Sequence, residues 1–253
     1  GVKGLYLIIF ILGITIGSFL NVCIYRIPRE ESIAFPPSHC TSCGYSLKPY
    51  DLIPIFSYLF LKGRCRRCSE KISIKYPLIE LLNGFIYTVI FYFYGMSIST
   101  IFLLIFSSLL IVISAIDFKT MEVYTSTIIF GVILAIIYIA LGSYFNEINY
   151  KDNLLGGLIG FLIIFLIVKI TRGMGEGDYE IAGLCGLFLG FRLILVALFL
   201  GIVIAGIVAS IILILKLKGR KAEIAFGPYI AIGTFISMIV GDEILQAYLS
   251  FFA

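Results

Sequence analysis

The chain has 253 residues, of which 60% are hydrophobic and only 13% are charged, and its formal net charge is +4. A composition this apolar excludes an ordinary soluble globular domain and indicates a protein with several membrane-spanning segments. The small positive charge requires no nucleic-acid partner, because basic residues that flank membrane spans account for it.

Uncharged intervals of the sequence are the candidate membrane spans. A bilayer core of about 30 Å requires roughly 20 apolar residues in a helix. The apolar runs are continuous rather than alternating, which favours helices over strands. The second run is long enough for two helices with a break at Tyr94 to Ser97, so the sequence predicts an all-α polytopic membrane protein with about eight transmembrane helices. The uncharged intervals are 4–25, 81–116, 123–146, 153–168, 181–191, 193–215 and 224–241.

The distribution of Lys and Arg predicts the orientation of these helices. If the odd-numbered helices run inward, only Lys3, Lys151 and Arg192 lie outside, and the other 16 of the 19 basic residues face the cytoplasm. The positive-inside rule describes this asymmetry. We therefore expect both termini outside, and we expect the 26–76 segment and the 170–180 loop on the cytoplasmic side.

The first span carries Gly17, Ser18 and Asn21 within an apolar stretch. Small and polar residues at such positions often form close helix–helix contacts in membrane proteins. A direct functional role for Asn21 is the alternative, and the sequence leaves both interpretations open.

Residues 26–76 form the only sizeable polar stretch, and they contain two CxxC pairs, Cys40 with Cys43 and Cys65 with Cys68. Pairs at this spacing match a tetrahedral four-thiolate site, so the sequence predicts a structural zinc ion, with iron as the minority alternative. Disulfides are disfavoured because cytoplasmic thiols stay reduced. A stretch of about 50 residues has too little core to fold alone, so we expect the metal to hold this segment together.

The loop Gly173-Met174-Gly175-Glu176-Gly177-Asp178 places a carboxylate between two apolar runs. A charged side chain at membrane depth costs several kcal/mol unless it lines a polar cavity, so Asp178 is a candidate functional residue. Gly175 and Gly177 lack Cβ atoms and allow another chain to approach the backbone closely. A second carboxylate, Asp117, ends another apolar run, and the predicted topology places it on the same side as Asp178.

Two carboxylates at one membrane face are what an aspartic peptidase requires. One carboxylate, ionised, takes a proton from water while the other, protonated, donates a hydrogen bond to the scissile carbonyl. Asp117 and Asp178 are the predicted pair, and Glu176 and Glu122 are the rival carboxylates nearby.

Motifs spread in order along nearly the whole chain resemble those of bacterial type IV prepilin peptidases. Each motif is weak alone, but the combination is specific. The motifs are Gly17-Ser18-Phe19-Leu20-Asn21-Val22, Tyr25-Arg26-Ile27-Pro28, the two CxxC pairs, Asp51-Leu52-Ile53-Pro54, Tyr76-Pro77-Leu78-Ile79-Glu80, Asp117, the Gly173 to Asp178 loop and Phe226-Gly227-Pro228-Tyr229.

The resemblance implies an intramembrane aspartic peptidase that removes the basic leader of type IV prepilins and pseudopilins at the cytoplasmic face of the bacterial inner membrane. It also implies a second activity of many members, methylation of the new amino terminus with S-adenosylmethionine. On this pattern Asp117 and Asp178 are catalytic and the four cysteines bind the metal. The motif of the first helix, together with Glu80, lies in the region associated with methyl transfer.

The predicted organisation has three parts. The first transmembrane helix covers 1–25, a cytoplasmic zinc-binding segment covers 26–76, and a transmembrane aspartic peptidase domain covers 77–253. The expected partners are prepilins, pseudopilins and the lipid bilayer, and the number of copies in the assembly is left open.

Two positions depart from the family pattern. Relatives commonly place Pro-Asp several residues after the first aspartate, where this chain has Val123-Tyr124-Thr125, and the loss of that alternative carboxylate favours Asp117. Relatives also place Lys two residues after the second aspartate, where this chain has Glu180. The exchange reverses a charge beside the predicted site and leaves pH behaviour and substrate preference open.

Two other classes of function remain possible on the residues alone. A secondary transporter also places carboxylates among broken helices, but no internal repeat is visible and both aspartates lie toward one face. A scaffold that docks partners through the zinc segment would not need Asp117 and Asp178. Proton-coupled uptake would identify the transporter, and inert aspartate substitutions would favour the scaffold.

Overall fold

The computed structural model of the chain describes residues 2–171, 175–215 and 224–252. In these ranges the regular structure is helical, with two isolated antiparallel bridges and no strand, so the predicted all-α class is confirmed. The α-helices are α1 (Val2–Arg26), α2 (Phe56–Phe60), α3 (Lys75–Tyr94), α4 (Ile98–Thr120), α5 (Thr125–Tyr144), α6 (Tyr150–Thr171), α7 (Gly177–Ile214) and α8 (Gly227–Phe252).

The long uncharged interval divides into α3 and α4 where the sequence predicts a break. Gly95 follows the last residue of α3 with φ of 62° and ψ of −149°, a conformation that glycine adopts readily and that ends the helix. The Ser97 hydroxyl accepts a hydrogen bond of 3.0 Å from the Thr100 N–H and thereby caps the start of α4.

Among the described residues, seven helices are long and apolar enough to cross a membrane. One of them, α7, has 38 residues, and a straight helix of that length would extend about 57 Å, nearly twice the bilayer core. Its backbone leaves the helical conformation at Gly190, where φ is 80° and ψ is 176°.

The chain folds back on itself at Gly190. A Cβ atom on Gly160 of α6 would lie 2.5 Å from the Ala182 carbonyl oxygen and 3.0 Å from Cγ1 of Ile194, so both halves of α7 contact one point of α6. In one straight helix, residues 182 and 194 would be about 18 Å apart. Asn153 donates hydrogen bonds to the carbonyls of Leu187 and Phe188, shortly before the break. If the two antiparallel halves of α7 are counted separately, the seven long helices give eight spans, in agreement with the predicted number of about eight.

Contacts divide the chain into two compact units, Gly1–Thr100 and Ile101–Ala253. In the first unit α1 packs closely on α3, since a Cβ atom on Gly17 would lie 2.7 Å from Cα of Glu80. Asn83 also donates a 2.7 Å hydrogen bond to the Gly13 carbonyl. This packing joins α3 to α1, and the boundary after residue 76 stays a prediction. The glycines of the first helix therefore form a packing seam.

In the second unit, small residues bring α6, α7 and α8 into close contact, as is common between membrane helices. A Cβ atom on Gly156 would lie 2.5 Å from the Gly186 carbonyl oxygen, and one on Gly201 would lie 2.9 Å from the Tyr229 carbonyl oxygen. The first contact lies near the break of α7, and the second lies at the start of α8, beside the predicted carboxylate site.

Candidate active site and metal centre

The four cysteines of the two CxxC pairs come together as the sequence predicts. All four Sγ atoms lie within 4.8 Å of one another. The Sγ atoms of Cys40 and Cys68 are 3.8 Å apart, and those of Cys43 and Cys65 are 4.0 Å apart. Four sulfurs around a zinc ion at about 2.3 Å each lie about 3.8 Å from one another, whereas a disulfide requires about 2.05 Å. The donor set therefore fits a closed tetrahedral metal site.

Tight turns present the thiols to the common centre. In the second pair the Cys65 N–H donates to the Glu70 carbonyl at 2.8 Å, and the Ser69 N–H donates to the Cys65 carbonyl at 3.0 Å. The first pair has a similar pattern of backbone hydrogen bonds. The N–H groups of Cys68 and Arg67 lower the pKa of the Cys65 thiol to about 6. This favours the thiolate, which is the form that binds metal.

Asp51 and Arg66 form an ion pair beside the second CxxC pair. The distance from Arg66 Nε to Asp51 Oδ1 is 2.7 Å, and the Asp51 side chain is only 2% exposed. Asp51 also accepts hydrogen bonds from the Lys48 N–H and the Tyr45 hydroxyl. Burial acts to raise the pKa of Asp51, but the Arg66 hydrogen bond and the Lys48 N–H outweigh it and hold this pKa below its usual value. Sequence reasoning missed this pair, although Asp51 begins one of the family motifs.

A cavity of about 850 Å³ opens in the first unit. Its lining joins α1, the 26–76 segment and α3, and it includes Asn21, Cys40, Cys65 and Glu80. The polar residues of the first helix and two of the metal-site cysteines therefore border one space.

Two buried polar side chains of α1 line this cavity. Arg26 donates hydrogen bonds to the carbonyls of Ser32 at 2.8 Å and Pro36 at 2.6 Å. Asn21 donates to the Tyr76 carbonyl at 3.1 Å. Both residues hold neighbouring backbone in place, and Arg26 brings a positive charge to the cavity wall without an ion pair within 4.0 Å in the described part of the chain.

Glu80 is the buried acidic residue that α3 contributes to the cavity. It is 7% exposed, its Oε2 accepts a 2.7 Å hydrogen bond from the Ile55 N–H, and the Ser18 side chain also hydrogen-bonds to it. Ile55 has φ of 65° and ψ of −52°, and the Phe56 N–H donates to the Pro54 carbonyl at 2.6 Å. This is a γ-turn with positive φ, a rare conformation that is strained for a β-branched residue.

Asp117 and Asp178 come together in the second unit. Each is only 4% exposed, and their carboxylates interact electrostatically. Asp117 lies near the end of α4 and Asp178 near the start of α7. The start of α8 meets both regions, because a Cβ atom on Gly227 would lie 2.7 Å from Asp117 Oδ2 and 3.1 Å from Ile181, one turn after Asp178.

A glycine N–H holds each of these aspartates. The Gly227 N–H donates to Asp117 Oδ2 at 2.9 Å, and the Gly175 N–H donates to Asp178 Oδ2 at 2.9 Å. No Lys or Arg in the described ranges lies within 4.0 Å of either carboxylate. A carboxylate offers about four acceptor positions, so most of this capacity is left for a water molecule or a substrate.

The glycine loop is described only from Gly175 onward, and Gly173 and Met174 lie outside the described residues. A Cβ atom on Gly177 would collide with Val123, which lies between α4 and α5. Gly177 is therefore required for the close approach of these two segments. The Gly227 N–H was missed as a partner of Asp117, although Phe226-Gly227-Pro228-Tyr229 was one of the family motifs.

The rival carboxylates point away from a buried site. Glu176 is exposed and pairs with Lys169 at 3.0 Å. Glu122 is also exposed and accepts a 2.9 Å hydrogen bond from the Tyr124 hydroxyl. Neither side chain offers the desolvated environment that surrounds Asp117 and Asp178.

Comparisons with known proteins cover both units. The bacterial peptidase A24 N-terminal domain matches residues 11–94, and the type IV leader peptidase family matches residues 104–210. The chain is similar to the prepilin leader peptidase/N-methyltransferases of Bacillus subtilis (31% identity, 96% of this chain and 97% of the relative) and Neisseria gonorrhoeae (32%, 94% and 91%). The corresponding protein of Pseudomonas putida is 30% identical over 92% of this chain and 90% of its own length. No solved structure matches the chain significantly.

Proposed function

The chain belongs to the family of prepilin leader peptidase/N-methyltransferases, and we propose that it is an intramembrane aspartic endopeptidase that cleaves the basic leader peptide from type IV prepilins and pseudopilins. We propose further that it methylates the new amino terminus. The protein is a multi-pass protein of the bacterial inner membrane. We propose that cleavage takes place at the cytoplasmic face and that both termini lie on the other face. The distribution of Lys and Arg supports this orientation.

The observation that carries the peptidase proposal is the buried pair Asp117 and Asp178. Held together in a dry site, two carboxylates share one proton, so one is a base while the other is an acid. The ionised member takes a proton from the attacking water. The protonated member donates a hydrogen bond to the scissile carbonyl, and the proton then passes to the leaving nitrogen.

The two glycine N–H groups orient this pair. Because Gly227 and Gly175 each donate to a single oxygen, the second oxygen of each aspartate is left for water and substrate. A backbone donor also keeps each carboxylate in one rotamer without bringing a cation, which would stabilise the ionised form of both.

Four thiolates at the distances of the cysteine cluster would bind zinc as a structural ion. All coordination positions of a tetrahedral ion are then filled by protein, so the metal stabilises the fold and takes no part in hydrolysis. Its effect is to hold the cavity-forming segment in place, since Cys40 and Cys65 belong to the cavity wall.

The cavity of the first unit is the proposed site of methyl transfer. Its volume of about 850 Å³ is within the range of small-molecule sites, and its wall combines apolar surface with a few buried polar groups. S-Adenosylmethionine would supply an electrophilic methyl group on a sulfonium centre. Arg26 would pair with the carboxylate of this donor, and Asn21 keeps the adjoining start of α3 in position.

Both activities are tested with the purified protein in liposomes. A prepilin is added with and without S-adenosylmethionine, and mass spectrometry follows the product. We expect a pilin without its leader, heavier by one methyl group when the donor is present. Cleavage without methylation would contradict the second activity alone, and intact prepilin would contradict the peptidase proposal.

A further inference from the structure

Glu80 is a buried carboxylate on the cavity wall that lacks a cationic partner among the residues that the structure describes. Its hydrogen bonds come from the Ile55 N–H and the Ser18 side chain, and no Lys or Arg nitrogen lies within 4.0 Å. About two acceptor positions of the carboxylate are therefore unused. An ionised carboxylate is costly to bury without a counter-charge, so a cation that enters the cavity would be stabilised beside Glu80 and would stabilise its charge in turn.

The other acidic residues of the cavity wall do not share this property. Asp51 is neutralised by Arg66 at 2.7 Å. Glu31 and Glu70 are exposed to solvent. Within the described chain, Glu80 is thus the one carboxylate of the wall that is both buried and without an ion pair.

A purely structural role for Glu80 is the competing explanation. The strained turn at Ile55 persists because its surroundings hold it, and the hydrogen bond from the Ile55 N–H to Oε2 is one such constraint. That contact needs only an oxygen acceptor of the right length. It does not need a negative charge, so the two explanations differ in what they require of the side chain.

We propose that Glu80 binds the α-ammonium group of the freshly cleaved pilin and accepts a proton from it, a role that rests on the proposed methyl transfer. An α-amino group has a pKa of about 7.7 to 8.0, so it is mostly protonated at neutral pH and has no free lone pair. Transfer of one proton to Glu80 frees that lone pair. The nitrogen then bonds to the methyl carbon as the carbon–sulfur bond breaks, with its electron pair left on sulfur. The methylated ammonium departs with its positive charge, and Glu80 returns its proton to water.

The test compares Glu80→Gln with the wild type, because glutamine retains the oxygen that accepts the Ile55 N–H but has no charge. Calorimetry without a methyl donor measures the affinity for two pilin amino-terminal peptides, one with a free amino group and one N-acetylated. We expect the wild type to prefer the free amine by about tenfold and the variant to lose this preference. Methyl transfer at pH 7 should fall about 100-fold, within the usual range for a general base, and should recover as the pH rises and the amine deprotonates in solution.

Ile55→Gly is the matched control, since glycine relieves the positive φ and retains the N–H. Zinc content and circular dichroism establish that both variants are folded. If Glu80→Gln keeps the amine preference and transfers methyl groups at the rate of the wild type, Glu80 only positions the turn and the proposal is wrong. If the wild type itself transfers no methyl group, the failure lies in the proposed second activity.

Discussion

Asp51 of the first unit and the two aspartates of the second unit are buried carboxylates with opposite surroundings. In the first unit Asp51 accepts hydrogen bonds from Arg66, the Lys48 N–H and the Tyr45 hydroxyl. In the second unit Asp117 and Asp178 interact electrostatically, and each accepts a hydrogen bond from one glycine N–H. A fully partnered carboxylate contributes to the fold, because its charge and lone pairs are already satisfied. A pair of carboxylates with few partners contributes little to stability, but its unused acceptor positions can bind water and substrate.

The largest effect on activity is expected when one of the two sparsely partnered carboxylates is removed. Asp117→Asn or Asp178→Asn leaves a side chain of the same size but prevents the sharing of a proton. We expect a loss of cleavage rate of about 10⁴-fold, as for other catalytic units of this kind, with helix content and zinc content unchanged. The rate is measured by mass spectrometry of the cleaved pilin. Glu122→Gln, in an exposed rival, is the control and should cleave at the rate of the wild type.

Retained cleavage in either aspartate variant would transfer the role to another carboxylate. In that case Glu176 is the next residue to replace, since it belongs to the same loop.

Removal of the metal should affect the first unit only. Cys65→Ser removes one of the four ligands, and a strong chelator removes the metal itself. Binding of zinc contributes roughly 10 kcal/mol or more to folding in small zinc sites. We expect loss of bound zinc and rapid proteolysis within 26–76, while the melting of the remaining helices shifts little. Cys23→Ala, at a buried cysteine outside the cluster, is the control for zinc content. Full resistance to proteolysis after zinc loss would show that the segment does not depend on the metal.

A methyl group placed beside Asp117 tests the glycine support of the pair. In Gly227→Ala the new Cβ atom would lie 2.7 Å from Asp117 Oδ2, so the carboxylate or the start of α8 must move. A misplacement of about 1 Å can reduce turnover by about 10²-fold, and we expect a loss of this size in kcat. Gly206→Ala adds the same methyl group where no atom lies within 4 Å, and it should leave kcat unchanged. Equal activity of the two variants would contradict the proposed orienting role of the Gly227 N–H.

The smallest effect is expected at Asp51. Its pKa is lowered in the folded protein, so its contribution to stability is fully present above the unfolded value of about 3.9 and is lost as the pH falls through the folded value. Because Arg66 is 45% exposed, we expect Asp51→Asn to cost only about 1 kcal/mol. Proteolysis of the 26–76 segment should be faster in the variant by a constant factor between about pH 5 and 8. A Glu70→Gln control, at an exposed carboxylate, should match the wild type.

The sequence predicts the helices and the ligands well, because both leave local signals. Apolar length gives the spans, the break before Ser97 is marked by Gly95, and CxxC spacing gives the cysteine cluster. The contacts that support the sites have no local signal. Gly227 and Asp117 are separated by 110 residues, and Glu80 and Ile55 by 25, so their hydrogen bonds follow from tertiary packing. The pairing of Arg66 with Asp51 likewise depends on how the turns of the zinc segment pack.

The reversal at Gly190 also bears on how the protein enters the membrane. The two halves of α7 are joined without a polar loop, and Arg192 is the one charged residue between 181 and 215. Insertion of this hairpin therefore requires the translocation of a single side-chain charge, which costs about 3 kcal/mol on the insertion scale if it passes the bilayer centre. The two halves can enter as one unit, so the half-helix that carries Asp178 in its first turn is already paired with its neighbour when it reaches the bilayer.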